Sequence, residues 1–236
     1  MSTSPPEPLP DALTHNRWFK GLHTAHQAAL LKATHSTVLR DGQLTMTQGT
    51  PLRKRGDGLM VLHSGLLKIS SKNAAGSEAV LGFIQPGQWF GELSMLAGQS
   101  RERDVRSVGV SEVLVVEPDT FHRLMQDASF QEQVVDLQSA RTRLLLSLVE
   151  DFTLRSARAR AARRLLMLAC DDDTRSEPHR KELIISHEAL ASMLGMTRQT
   201  LALQLKALTE AGAIIQGYGR IVVSSMPLLI AEAAGA

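Results

Sequence analysis

Two short helical patterns that meet at Gly195 constrain the fold of this chain more than any other feature. The first follows Ser186, a good N-cap, and places four apolar residues at helical spacing on one face. These residues are Ala189, Leu190, Met193 and Leu194. The second follows Thr197, again a good N-cap, and carries Leu201, Leu205 and Leu208 on its buried side. The pattern predicts two helices that cross at a steep angle through a glycine-containing turn.

The exposed face of the second helix carries groups that read base edges or hold phosphates. They are Arg198, Gln199, Thr200, Gln204 and Lys206. Arginine suits the paired acceptors of guanine, glutamine suits adenine, and the first turn of a recognition helix faces the major groove. The pattern therefore predicts a DNA-binding helix-turn-helix. The alternative is a solvated helix on any small bundle.

The residues that follow favour the DNA-binding interpretation. From Gly212 to Val223 the chain predicts two short strands around a glycine-rich turn, which is the wing of a winged helix. Arg220 in this wing, with the capping residues Ser186 and Thr197, completes the predicted DNA-binding set. The net charge is only +2, so the prediction rests on local arrangement and not on a global field.

The sequence pattern changes in residues 37–118, where short apolar runs are separated by glycine residues. The predicted strands are 38–40, 59–63, 66–70, 79–84, 105–108 and 111–117. Many short strands separated by turn residues predict an antiparallel sandwich or jelly roll with room for a small ligand. Ahead of it, one or two short helices that pack on the roll are predicted from Trp18, Phe19, Leu22, Leu30 and Leu31.

The segment Phe83–Arg106 contains the run PGQWFGELSML. Arg101 follows ten positions after Gly91, and Val105 and Arg106 lead into the next strand. The segment resembles the phosphate-binding cassette of cyclic-nucleotide-binding domains in the Crp/Fnr superfamily of bacterial transcription regulators. The resemblance covers nearly the whole chain, since a roll, a long helix and a winged helix follow in the family's order.

The resemblance implies that Gly91, Glu92, Leu93 and Arg101 line an effector pocket. Glycine permits close backbone approach, a short helix from Leu93 would aim its N–H groups at an anion, and an arginine can form a forked pair with phosphate. Glu92 would accept a hydrogen bond from a ribose hydroxyl. The alternative is a salt bridge between Glu92 and Arg101 that closes an empty roll.

Two departures from the family pattern count against the usual binding of cyclic AMP. Glu102 stands where family members that bind cyclic AMP usually carry Ser or Thr, and its carboxylate would repel a phosphate unless it faces away or pairs with Arg103. Leu145 and Leu146 align with positions where Thr and Ser hold the adenine, and leucine cannot donate those hydrogen bonds. We therefore expect a changed or lost ligand, while a cyclic nucleotide, including cyclic di-GMP, stays open.

Residues 119–151 predict a helical tract with a short coiled-coil seam. The seam positions are Val134, Leu137, Arg141, Leu144, Leu148 and Asp151, with Leu145 and Phe152 beside them. By resemblance this helix forms a homodimer that binds an inverted-repeat operator in double-stranded DNA, with RNA polymerase as a further partner. The alternative is an amphipathic helix packed on the roll.

Five arginines cluster after the helical tract, around and beyond a hinge predicted near residues 154–156, and they indicate either phosphate contacts or a solvated helix face. They are Arg155, Arg158, Arg160, Arg163 and Arg164. The predicted domains are a flexible arm at 1–17, the roll with flanking helices at 18–128, the dimerisation helix and hinge at 129–154, and the winged helix-turn-helix at 155–236. The expected fold class is α+β: an N-terminal antiparallel β-roll (jelly roll), a long dimerisation helix and a C-terminal winged helix-turn-helix.

Other functional classes find little support in the sequence. The single cysteine, Cys170, excludes a disulfide framework within the chain and a cysteine-ligated iron–sulfur cluster. The eight histidines show no zinc spacing, although haem ligation stays open, and we interpret the acidic run at 171–178 as a loop without a metal. With no catalytic constellation, signal peptide or membrane-spanning run, we expect a cytoplasmic protein that is not an enzyme. The alternative function is a nucleotide-sensing module that acts without DNA binding.

Overall fold

The structure is a computed structural model whose described residues are 16–53, 56–170 and 181–235. It divides into two compact units that meet between Leu137 and Gln138, inside one long helix. Most of the predicted N-terminal arm and the whole predicted acidic loop at 171–178 lie outside the described residues.

The first unit contains two four-stranded antiparallel sheets that form the predicted roll. The strands are β1 (Thr34–Leu39), β2 (Leu44–Met46), β3 (Leu59–Ser64), β4 (Leu67–Lys72), β5 (Glu78–Ile84), β6 (Trp89–Phe90), β7 (Asp104–Ser107) and β8 (Ser111–Val116). One sheet has the order β1-β8-β3-β6 and the other β2-β7-β4-β5. The sequence did not predict β2 and β6, because strands of three and two residues are too short to show an alternating pattern.

Strand β3 is covered on both faces, by the opposite sheet on one side and by the flanking helices on the other. Its residues Leu59, Met60, Val61 and Leu62 are all fully buried. Met60 and Leu62 join the core between the two sheets, whereas Leu59 and Val61 pack in a second core on the outer face. A strand covered on both faces reads as a continuous apolar run, which is how it stands in the sequence.

Within the described residues, the first unit contains four helices and the beginning of a fifth. They are α1 (Arg17–Gly21), α2 (Thr24–Lys32), α3 (Glu92–Ala97), α4 (Pro118–Leu124) and α5 (Ala128–Leu154). Trp18 and Phe19 of α1 lie against Trp89, with ring centroids 5.4 and 5.7 Å apart, and Phe130 of α5 contacts Trp18. The prediction of short N-terminal helices that pack on the roll is therefore confirmed.

Helix α5 corrects the predicted seam. Val134 and Leu137 are each only 3% exposed, because they pack in the core of their own unit. The large apolar residues that the helix leaves exposed are Val135, Leu145, Leu146, Val149, Phe152 and Leu154. The free face therefore follows Val135, Leu145, Val149 and Phe152, one residue later than the predicted seam. Helical spacing alone cannot decide which of two adjacent apolar faces is used internally.

The second unit confirms the winged helix-turn-helix. After α5 ends at Leu154, its elements are α6 (Ala157–Cys170), β9 (Glu182–Ile184), α7 (His187–Leu194), α8 (Arg198–Glu210), β10 (Ile214–Gly217), β11 (Arg220–Val223) and α9 (Met226–Ala234). The three strands form one antiparallel sheet in the order β10-β11-β9. The helical chain breaks at the predicted hinge, where Ser156 Oγ accepts a hydrogen bond from Ala159 N at 3.2 Å.

Candidate functional site

The helix-turn-helix is built by two capping side chains and one glycine. Ser186 Oγ accepts from Ala189 N at 3.1 Å and Thr197 Oγ1 accepts from Thr200 N at 3.1 Å, as predicted. Gly195 ends α7 with φ of 58°, a left-handed conformation that glycine adopts without penalty. These local choices place the beginning of α8 directly after the turn.

Four apolar residues of α7 and three of α8 hold the two helices together. They are Leu190, Ala191, Met193 and Leu194 on α7, and Leu201, Leu205 and Leu208 on α8. One predicted position is wrong, because Ala189 is only half-buried and Ala191 takes the buried place. The opposite face of α8 is left for a partner.

That opposite face presents the predicted DNA-binding residues. Arg198, Gln199 and Lys206 are exposed, while Thr200 and Gln204 are half-buried. Arg198 Nη2 lies 2.5 Å from Glu188 Oε2 of α7, and both side chains are largely exposed. The sequence analysis did not identify Glu188, although its position in the first turn of α7 places a carboxylate close to the tip of α8. Lys206 Nζ lies 3.8 Å from Glu210 Oε1.

The wing projects a second polar surface. Arg220 Nη1 lies 2.9 Å from Glu182 Oε1 on the neighbouring strand, and both residues are exposed. Tyr218 occupies the tip of the turn between β10 and β11 and is fully exposed. The sequence analysis did not single out Tyr218, although a lone tyrosine between two glycines of a predicted wing is a recognisable signal.

The effector cassette lies in the first unit, around the start of α3. Gly91 has φ of 94°, and α3 begins at Glu92, one residue before the predicted start. A Cβ atom at Gly91 would stand 2.5 Å from Gly58 O and 2.7 Å from Met46 Cε. The close approach that this glycine permits is therefore made by the chain itself.

Arg101 is directed into the protein and is only 3% exposed. Its Nη1 donates to Gly91 O at 2.8 Å and its Nη2 donates to Gly58 O at 3.4 Å. Asp57 Oδ1 lies 3.7 Å from the same Nη2, and Asp57 also accepts from Arg53 N at 2.9 Å. Asp57 was not predicted from the sequence; it stands two residues before the apolar strand β3, and its carboxylate lies in ion-pair range of Arg101.

The electrostatics of the cassette follow from this burial. Loss of hydration lowers the pKa of Arg101 from its ordinary value, and the carboxylates of Asp57 and Glu92 partly offset the effect. Glu92 is itself only 3% exposed. Because a guanidinium titrates far above neutral pH, Arg101 remains a buried cation beside carboxylates.

The other predicted effector residues are more open. Leu93 is half exposed, and Glu102 and Arg103 are exposed and form an ion pair at 3.5 Å. The pairing of Glu102 with Arg103 meets one of the conditions given above under which the Glu102 carboxylate would not repel a phosphate. Leu145 lies on the exposed face of α5 and is 62% exposed.

The arginines after the hinge have roles that neither prediction anticipated. Arg155 and Arg163 pair with Asp151, and Arg158 pairs with Glu232. The guanidinium carbon of Arg160 lies 5.3 Å from the centroid of the Phe152 ring. These side chains therefore have partners within their own unit.

The described ranges contain neither a cluster of metal ligands nor a membrane-spanning helix. Within residues 16–53, 56–170 and 181–235, no three or more His, Cys, Asp or Glu residues are grouped so that they could hold a metal ion. In the same part of the chain, no helix has both the length and the apolar character needed to cross a bilayer.

Two family models match the chain in sequence. The cyclic nucleotide-binding domain matches residues 37–128, and the Crp-like helix-turn-helix domain matches residues 159–232. Among curated relatives, the cyclic AMP receptor protein of Thermus thermophilus is 27% identical over 186 residues, covering 77% of this chain and 83% of the relative. The CRP-like cAMP-activated global transcriptional regulator of Mycobacterium tuberculosis is 25% identical over 210 residues, covering 88% and 92%.

A solved structure shows the same fold. FixK2 from Bradyrhizobium japonicum superposes with a TM-score of 0.72 at 17% identity, covering 86% of this chain and 98% of that one. The two sequence matches account for the roll with the start of α5 and for nearly the whole winged helix, in that order. The chain therefore belongs to the Crp/Fnr family of DNA-binding transcription regulators.

Proposed function

We propose that the protein is a homodimeric regulator that binds an inverted-repeat operator in double-stranded DNA. The observation that carries the proposal is the exposed polar face of α8, with Arg198, Gln199 and Lys206, beside an exposed wing. A helix of this kind enters the major groove and reads base edges from its first turn. RNA polymerase is the further partner we expect at a promoter, and the cytoplasm is the compartment we expect.

The free face of α5 supports the dimer. Val135, Leu145, Val149 and Phe152 are large apolar residues at alternating helical spacing, and each is about half exposed or more. Gln138 and Thr142 fall at the intervening positions of the same seam. An apolar seam of this length on an exposed helix favours pairing with a second copy, because burial removes it from water. A two-fold dimer then matches a two-fold operator.

The test combines mass and DNA binding. Light scattering on the full chain should give twice the mass of one chain, and gel shifts should favour inverted repeats, selected from random DNA, over the same half-sites in direct orientation. Val149→Glu places a charge in the seam and should give a monomer with weak operator binding, while Glu150→Gln on the same turn should change neither. A wild-type monomer that binds both arrangements equally contradicts the proposal.

For the effector, our proposal is that the roll has changed or lost the ligand of its relatives. Three observations support it. Leu145 has no hydroxyl to hold a base, and Glu102 stands in place of a hydroxyl that would donate a hydrogen bond to the phosphate. Arg101 already donates to two carbonyl oxygens, and Asp57 lies nearby. A phosphate would have to compete with Asp57 for a cation that the protein has already satisfied.

Cyclic AMP is the second candidate, because relatives are named for it and because Gly91, Glu92 and Arg101 are all retained. Cyclic di-GMP is a third, although Arg103 is paired with Glu102 and Arg106 donates to Gly42 O. Calorimetric titration with cyclic AMP, cyclic GMP and cyclic di-GMP separates these cases, and Arg101→Gln serves as the control for phosphate-dependent heat. Tight binding of cyclic AMP by the wild type would overturn the preference for a changed or lost ligand.

A further inference from the structure

The last turn of α5 is fastened to the DNA-binding fold by a buried carboxylate. Asp151 is only 6% exposed and accepts from Arg155 Nε and from Arg163 Nε, each at 2.7 Å. Arg155 lies in the break between α5 and α6, and Arg163 lies in the second turn of α6. Because each carboxylate oxygen takes a different guanidinium, the pair of contacts fixes the direction in which α5 enters α6.

The same cluster extends to the C-terminal helix. Arg155 Nη1 donates to Ala233 O at 2.8 Å and to Ala234 O at 3.4 Å, at the end of α9. A cation at the C-terminus of a helix is favourable, since the last carbonyl oxygens carry partial negative charge. Arg158 pairs with Glu232 in the same last turn of α9. One carboxylate from α5 therefore orders the junction of three helices.

Phe152 makes an apolar contact next to this ionic one. Its ring lies under the Arg160 guanidinium, and a Cβ atom at Gly195 would stand 3.8 Å from Phe152 Cε1. Phe152 also lines one cleft with Met193 and Leu194 of α7. The end of α5 thus lies next to the turn of the helix-turn-helix, while Asp151 binds Arg163 of the neighbouring helix α6.

We infer that Asp151 is a positioning residue for operator binding, which fixes the recognition helix relative to the dimerisation helix. The inference rests on the proposed dimer. One added base pair between half-sites turns the second site by about 35° and moves it by about 3.4 Å. A rigid junction cannot follow that displacement, so it makes the protein selective for one spacing. A loosened junction can follow it.

The experiment measures affinity against half-site spacing. An inverted repeat selected with the wild-type protein is varied in steps of one base pair, and a single half-site serves as reference. Asp151→Asn keeps the shape of the side chain but removes its charge, and Arg163→Gln removes a partner from the other side. Glu150→Gln is the matched control, because this exposed carboxylate precedes Asp151 on the same helix. Urea unfolding is recorded for every variant.

For the wild type and Glu150→Gln we expect a preference of about tenfold or more for one spacing over its neighbours, which equals about 1.4 kcal/mol. Asp151→Asn and Arg163→Gln should reduce the preference to about threefold or less with unchanged half-site affinity. The double variant should be no worse than Asp151→Asn alone, because that substitution already removes the ion pair that Arg163→Gln removes.

Two results would overturn the inference while leaving the proposed function intact. One is an unchanged spacing profile in both variants. The other is an equal loss at every spacing and on the half-site, together with a lower unfolding midpoint, which would mark a purely structural ion pair. A wild type that binds no inverted repeat more tightly than the single half-site would instead contradict the dimeric operator-binding function, and the inference would fail with it.

Discussion

Two arginines at the predicted sites of this protein occupy opposite environments. Arg101 in the cassette is 3% exposed and is held by Gly91 O, Gly58 O and Asp57. Arg198 at the tip of α8 has a side chain that is 65% exposed and pairs only with the exposed Glu188 among the ion pairs described. Both were predicted from sequence as anion-binding or base-reading residues, yet only Arg198 is presented to a partner in this structure.

The difference shows what each site demands of a ligand. An anion that binds Arg101 must replace contacts within a buried network, where removal of a partner leaves an uncompensated charge. DNA bound at Arg198, as we propose, would have only to displace a solvated ion pair, which is weak and screened by salt. The proposed DNA-binding surface is therefore open in this structure, whereas the polar groups of the cassette contact one another.

The largest expected effect comes from a substitution in the buried cassette. Arg101→Ala should lower the free energy of unfolding by about 3 kcal/mol, because the buried Asp57 would lose the buried cation beside it and keep the largely exposed Arg53, whose Nε lies 3.2 Å from Oδ2. The hydrogen bond from Arg53 N to Asp57 persists and keeps the loss near the lower end of the usual range. Urea unfolding of the full chain, followed by circular dichroism, measures the change.

Arg103→Ala is the control for that measurement, since Arg103 is exposed and pairs with the equally exposed Glu102. Its free energy of unfolding should stay within about 0.5 kcal/mol of the wild type. An Arg101→Ala protein as stable as Arg103→Ala would show that the buried network contributes nothing and would remove the basis of the comparison.

The second effect breaks the open side. Arg198→Ala should weaken binding to the selected operator by about 1–3 kcal/mol and relax the preference at one base in each half-site. The free energy of unfolding should not change measurably, because both members of the Glu188 pair are exposed. Competition gel shifts against operators substituted at single positions measure both the loss and the discrimination.

Arg123→Ala controls for the charge alone, since it removes one exposed cation from α4 in the first unit. It should leave the discrimination between operator variants intact. An Arg198→Ala protein that also retained full discrimination would make Arg198 at most a phosphate contact.

Local patterns allowed much of this architecture to be predicted. The N-caps Ser186 and Thr197, the left-handed Gly195 and the buried leucines of α8 depend on neighbours within a few residues, so the sequence displays them directly. The cassette residues Gly91 and Arg101 were identified through a family pattern of the same short range.

Long-range pairings could not be predicted in this way. Asp57 reaches Arg101 across 44 positions of sequence, and nothing in the spacing of either residue announces the other. Val134 and Leu137 were predicted as seam positions of α5 but are buried in their own unit, because they pack in a core with distant aromatic residues. Asp151 was likewise predicted as a seam position, whereas in the structure it forms an ion pair with Arg163. Which face of an element is covered depends on the folded topology and not on periodicity.

A third substitution, on the exposed face of α8, distinguishes a phosphate contact from a base contact. Lys206 is exposed and lies near Glu210 at a distance that gives little stabilisation. Lys206→Ala should weaken binding equally on all operator variants and reduce the salt slope of log K by about 1 for each recognition helix. Binding isotherms at several salt concentrations measure it. A loss confined to one base position would instead make Lys206 a base-reading residue.

The smallest effect concerns Glu188. This carboxylate pairs with Arg198, as Asp57 pairs with Arg101 in the cassette. If the exposed carboxylate merely competes with DNA for the guanidinium, Glu188→Gln should strengthen operator binding by about 0.5 kcal/mol at low salt. The gain should shrink at physiological ionic strength, where the screening length is about 8 Å. Glu210→Gln is the control, because its carboxylate lies at the other end of α8 beside Lys206 and should not alter base discrimination. In the Arg198→Ala background the gain from Glu188→Gln should fall, since there is no guanidinium left to release. Weaker binding by Glu188→Gln would mean that the carboxylate orients Arg198 for the base, and the two ion pairs would then be alike in function despite their different burial.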